Sequence, residues 1–244
     1  MQGQNQQQAY DRGTSIFSPD GRLYQVEYAR EAVKRGSACV GIRTTDGVVL
    51  AAEINTRSAL MESSSVEKLH KTDEHIGLAS AGHAADARQL VDKARQHAQV
   101  EQWRYDQPIS VDTLTTAVCD DIQEYTQKGG TRPFGVGLLV GGIDEGEPRL
   151  FEVTPAGTAS EWRATAIGAK SDDLQSALEE QYRANLSLDD GIHAVLRAIE
   201  SVKDDEFSAT DVSVATIDTD STQYEMVNEE TVAEHLGDIS TLDE

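Results

Sequence analysis

Residues 38–53 read ACVGIRTTDGVVLAAE, two apolar runs separated by Thr45-Asp46-Gly47. Asp-Gly suits the tight reversal between two strands, and the flanking runs are rich in β-branched residues, so the stretch is a β-hairpin signature. Toward the C-terminus, residues 75–81 give a third strand. From Ala84 to Trp103 the apolar set Ala87, Leu90, Val91, Ala94 and Ala98 keeps a 3.6-residue period, and Val111, Leu114, Val118, Ile122 and Tyr125 repeat it. These are two long amphipathic helices. FGVGLLVGGI (134–143), PRLFEV (148–153) and ASEWRATAIG (159–168) then read as strands. Helices near 171–184 and 188–202 follow, then the strands VSVATID (212–218) and QYEMV (223–227), and a short acidic terminal helix.

Toward the N-terminus, Ser18-Pro19-Asp20-Gly21 is a strong turn that opens a helix over about 22–35. Leu23, Val26, Ala29 and Val33 recur there at helical spacing, and Gly36 closes it. Residues 1–9 are Gln-rich without an apolar period and are expected to be disordered by themselves. Strands in contiguous blocks with helices in pairs imply an α+β fold, two stacked antiparallel sheets with helices on both outer faces. The expectation is a four-layer α-β-β-α sandwich, a single domain over 13–236 with a mobile segment at 1–12 and an acidic tail at 237–244.

The chain has 244 residues, with 43 Asp and Glu against 21 Lys and Arg, a net charge of −22. Such a surface repels nucleic acid, and no basic stripe exists to displace counterions from phosphates. The acidity could serve a basic partner or keep the protein soluble in strong salt, where charges are screened to within about 3 Å at 1 M. Dispersal of the acids along the whole chain favours salt adaptation and a halophilic source. Cys39 and Cys119 each sit in an apolar pattern, which fits buried reduced thiols. MQGQNQQQAY lacks the basic start and apolar stretch of a signal peptide, and no 18-residue apolar run occurs, so a cytoplasmic protein without membrane contact is expected.

The chemistry-bearing motifs are mostly missing. There is no HExxH, CxxC, P-loop or EF-hand pattern, so zinc-hydrolase, redox and nucleotide-binding functions lack support. Gly135–Gly142 looks Gly-rich, but Val140 stands where a dinucleotide fingerprint needs its third glycine, which reads as a tightly packed strand. The six histidines are scattered, and no two are spaced to share one helix face, so no metal or other cofactor is expected. Asp172-Asp173 and Asp189-Asp190 stand at helix starts, where carboxylates complement exposed N–H groups.

YDRGTSIFSPDGRLYQVEYAREAVKRG (10–36) resembles the N-terminal signature of archaeal-type proteasome α subunits. The similarity continues through SVEKLHKTDEHIGLASAG, ADARQLVDKAR, YTQKGGTRPFGVGLL, PRLFEVTPAGT and ATAIGA, covering about 9–200. It implies the N-terminal-nucleophile hydrolase sandwich. It also implies a non-catalytic subunit of the 20S core that forms seven-membered rings with other α subunits, stacks on β subunits and gates entry of unfolded proteins. A regulatory AAA ATPase of the proteasome-activating nucleotidase type is the implied docking partner.

In catalytic β-type relatives a Thr freed at the start of the first strand is activated by its own amine. The matching position here is Ser37, inside the chain after a complete helix, while Glu53 and Lys68 match the supporting acid and lysine. The resemblance gives Lys68, with Gly82, a different role, in the intersubunit pocket that receives the ATPase's C-terminal carboxylate. Tyr10, Asp11, Arg12, Pro19 and Tyr28 match the gate cluster. Gly129 and Gly130 match the pore-narrowing loop, with Lys128 where an aromatic is common. Two rival readings stand beside this one: a self-processing hydrolase that exposes Ser37, and an acidic scaffold that shares only the sandwich.

Overall fold

The computed structural model describes residues 24–56, 58, 60–127, 132–203 and 207–242. In chain order the elements are α1 (Tyr24–Lys34), β1 (Cys39–Arg43), β2 (Gly47–Glu53), β3 (Leu69–Asp73), β4 (Ile76–Gly82), α2 (Ala84–Tyr105) and α3 (Val111–Gln127). They continue as β5 (Val136–Asp144), β6 (Glu147–Val153), β7 (Ala159–Glu161), β8 (Ala164–Ile167), α4 (Ser171–Gln181), α5 (Leu188–Ser201), β9 (Val212–Asp218), β10 (Tyr224–Met226) and α6 (Glu229–Leu242).

The hairpin is formed as its sequence implies, with Arg43 opposite Val48 and the Thr44 N–H donating to the Gly47 carbonyl at 2.8 Å. β1 and β2 are the centre of one sheet, ordered β10-β9-β2-β1-β8; the other is ordered β3-β4-β5-β6-β7. All pairs are antiparallel. An antiparallel strand with one wet face alternates apolar and polar residues. β2 instead runs Val48-Val49-Leu50-Ala51-Ala52, every one fully buried, because both of its faces are covered. Val49 and Ala51 belong to the core layer under α4, α5 and α6, whereas Val48, Leu50 and Ala52 face the second sheet. Ile76, Leu78, Val136, Leu138 and Val140 pack the far face of that second sheet under α2 and α3. Three apolar layers between four layers of elements make the expected α-β-β-α sandwich.

The sheets approach closely through glycine in the Gly135–Gly142 stretch, which is a packed strand. A Cβ on Gly141 would lie 2.8 Å from Val48 Cγ1 across the intersheet space.

Two strands depart from the expectation. β3 carries almost no strand signal: in LHKTD only Leu69 is aliphatic, since an edge strand has a partner on one side and needs little apolar surface. ASEWRATAIG is two strands and not one. β7 pairs with β6, and the chain crosses between sheets at Trp162 and Arg163 so that β8 pairs with β1. The crossing is fixed by Trp162 N–H donating to Leu150 and Arg43 N–H donating to Arg163, at 2.9 and 2.7 Å. The exposed β7 and fully buried β8 differ accordingly. The terminal helix is longer than expected: the stretch from 237 continues α6 as far as Leu242, with Ile239 buried.

Candidate functional site

The site implied by the sequence is built at the head of β1. Val26 and Ala29 bury the inner face of α1, Val33 lies against Gly137 of β5, and Tyr28 and Arg30 point outward. The helix ends by a backbone approach that only glycine permits. A Cβ on Gly36 would lie 2.3 Å from the Gly82 nitrogen, and Gly82 itself has φ +120°, a conformation that L side chains rarely adopt. The Gly36 carbonyl then accepts from Ala169 N–H at 2.9 Å. Ser37 is thereby placed inside a continuous chain between a docked helix and the first strand.

Ser37 and Glu53 lie near the Cys39 thiol, which donates to the Ser37 carbonyl at 3.9 Å, while Glu53 accepts from the neighbouring Ala38 N–H; the charges of Lys68 and Glu53 both act on that thiol. Burial dominates there and pushes that thiol up to about 12, so no thiolate is available near neutral pH. The Ser37 hydroxyl accepts from Asn55 Nδ2 at 3.4 Å. Its nitrogen is a peptide nitrogen, so the amine that activates an N-terminal nucleophile is not present at this residue. Glu53 is committed elsewhere: Oε1 pairs with Lys203 Nζ at 2.5 Å, and Oε2 accepts from Ala38 N–H at 3.3 Å. Lys203 escapes sequence reasoning, since 150 positions separate it from its partner.

Lys68 is held by its backbone. Its carbonyl accepts from Ser80 N–H at 3.0 Å and from the Ser80 hydroxyl at 3.4 Å, at the open end of the β3–β4 hairpin. Gly82 lies two residues past Ser80, at that same end. The side chain is half-buried, and among the described residues no carboxylate lies within 4.0 Å of its ammonium. Lys71, Lys93 and Lys203, by contrast, each pair with an acid.

A second device that sequence reasoning misses fixes the end of the stretch that precedes β5. Arg132 grips Asp86 in a two-pronged pair at 2.7 and 2.8 Å, and the same carboxylate accepts from Gly135 N–H at 2.8 Å. An acid in the first turn of α2 facing an Arg-Pro after a glycine pair was the available signal. Of the other expected site residues, Tyr10, Asp11, Arg12 and Pro19, and Lys128, Gly129 and Gly130, lie outside the described residues. Tyr28 stands exposed on α1.

Comparison with known proteins agrees with this arrangement. The proteasome subunit family model matches residues 33–217, and the N-terminal signature of A-type proteasome subunits matches residues 10–32. The chain belongs to the proteasome α-subunit family. Proteasome subunit alpha of Haloquadratum walsbyi is 62% identical over 231 residues, covering 94% of this chain and 92% of that protein. Proteasome subunit alpha of Halobacterium salinarum is 60% identical over 98% of this chain and 94% of its own length. Proteasome subunit alpha 1 of Haloarcula marismortui is 59% identical over 100% of this chain and 94% of its own. These haloarchaeal relatives accord with the salt-adapted reading of a −22 charge. As a member of this family the chain is one part of a larger proteasome assembly. No described helix is long and apolar enough to cross a membrane.

Proposed function

We propose that this α-type chain is non-catalytic, forms the seven-membered outer ring of the 20S core in the cytoplasm, and there gates entry and docks a regulatory ATPase. Its ring sits on β subunits that carry out the threonine-type cleavage. Tyr10, Asp11, Arg12, Pro19 and Tyr28 hold the N-terminal segments, while Lys128, Gly129 and Gly130 line the aperture through which unfolded chains pass.

The observation that carries the ATPase role is Lys68: a half-buried lysine with no acidic partner among the described residues, on a chain with a twofold excess of acids. An incoming C-terminal carboxylate would complete it with a charge-assisted hydrogen bond of roughly 1.5–3 kcal/mol. A short, partly desolvated contact survives strong salt, and several tails on one ring multiply a weak site. The non-catalytic reading is supported by the internal position of Ser37 and by the Lys203 pair that occupies Glu53.

Lys68→Ala tests the docking role in complete barrels. Peptidase activity and ring assembly are expected to persist while ATPase-stimulated protein degradation collapses, and Lys68→Arg should be impaired less. Unchanged ATPase affinity in Lys68→Ala barrels would return Lys68 to an ordinary surface base.

A further inference from the structure

We propose that Asp189, His193 and His235 form a binding site for a divalent transition ion of the Zn2+ class, which pins the terminal helix α6 onto α5.

Asp189 and His193 are four residues apart on α5 and therefore share one face of that helix. His235 comes from α6, which packs over it. The two imidazoles meet edge to face with ring centroids 4.6 Å apart, and His235 Nε2 lies 3.6 Å from Asp189 Oδ1. One ligand atom from each of the three residues lies within 4.8 Å of the other two. A tetrahedral ion with bonds of about 2.0–2.1 Å holds its ligands about 3.3–3.4 Å apart. The Asp189–His235 separation is already near that value, and Asp189 is exposed, so its side chain can move to close the remainder.

The polar accounting points the same way. Buried ring nitrogens in folded proteins normally find a hydrogen-bond partner. His193 Nε2 and His235 Nδ1 are both buried and have none among the described residues; an ion would take up His193 Nε2, whereas His235 faces Asp189 through its other nitrogen, Nε2. His193 lies directly beside His235, their rings meeting at 4.6 Å. Asp189, Glu234 and Asp238 supply a negative field around it. The donor set also selects. Mg2+ and alkali cations favour all-oxygen shells, whereas two imidazoles and one carboxylate suit Zn2+, Co2+ or Ni2+, leaving one position to water. Salt-rich solvent would therefore not fill the site. No spacing motif points to it, because the two histidines lie on different helices, 42 positions apart.

The test uses the untagged full-length protein in molar KCl with excess Mg2+. Calorimetric titration with Zn2+, and visible absorption with Co2+, should report one ion per chain. Asp189→Asn and His193→Gln should each weaken binding by about tenfold or more, since losing even an outer-shell partner typically costs 10–100-fold. Zn2+ should raise the melting temperature and slow amide exchange in α6 of the parent protein, and do neither in the double variant. Asp189 is exposed, so its variant reads binding even if changes at His193 or His235 perturb folding. The proposal is overturned if Zn2+ binds the parent no better than the double variant, or if both single variants bind as the parent does.

Discussion

Replacing Lys203 with Met removes the ammonium that holds Glu53 and keeps most of the side-chain volume. The pair is intermediate in burial, with the Glu53 side chain 13% and the Lys203 side chain 22% exposed. Fully buried pairs cost about 3–5 kcal/mol to break and exposed ones about 0–1, so a loss of about 2 kcal/mol is expected. For a domain of this size each kcal/mol moves the melting temperature by about 2–4 °C, which gives a drop of about 4–8 °C. Glu53→Gln should cost less, about 1 kcal/mol, because the amide oxygen still accepts from Ala38 and the Lys203 chain can extend to water.

The double variant should show a coupling of about 1 kcal/mol when the single losses are compared with their combination. Thermal unfolding followed by circular dichroism measures all four proteins, at low salt and again in about 2 M KCl. A contact of 2.5 Å with little solvent around it should keep most of its coupling in salt, unlike a pair spread over the surface. Additive losses, or a Lys203→Met midpoint within about 1 °C of the parent, would refute a structural role for Glu53. The acid would then have to be explained by chemistry at Ser37.

Two further outcomes follow from other parts of the chain. Asp86→Ala should lower the melting temperature by about 4–8 °C, because the buried Gly135 N–H loses its acceptor at about 1–3 kcal/mol while Arg132, 60% exposed, returns to water cheaply; Asp86→Asn, which retains an acceptor, should lose less than half of that in the same thermal scan. Complete barrels lacking residues 2–12 should hydrolyse short peptides faster than intact ones in a fluorogenic assay, and an equal rate would count against a gate.

The elements easiest to find in the sequence were those whose signal is local. VSVATID is β9 residue for residue, and the five alanines, leucines and valines between Ala87 and Ala98 mark the buried stripe of α2. Failure came where structure depends on what lies opposite. β3 is apolar only at Leu69 because its edge position demands little, and ASEWRATAIG splits because Trp162 and Arg163 carry the chain between sheets that no single-strand period can represent. The site divides in the same way. Ser37, Glu53 and Lys68 were found through resemblance, which carries positions; it could not carry their present partners.

Glu53 illustrates the consequence most directly. Its residue type fits a catalytic acid, and its place beside Ser37 fits one too. The role turns on Lys203, which α5 delivers just beyond its last turn at Ser201, so that the length of a helix 150 residues downstream decides whether the carboxylate is available. The same helix presents Asp189 and His193 to α6 at its other end. In this chain α5 therefore links the Glu53 carboxylate beside Ser37 at one end to the terminal helix at the other. A change in α5 that shifted it by one turn, about 5.4 Å, would separate both sets of partners at once.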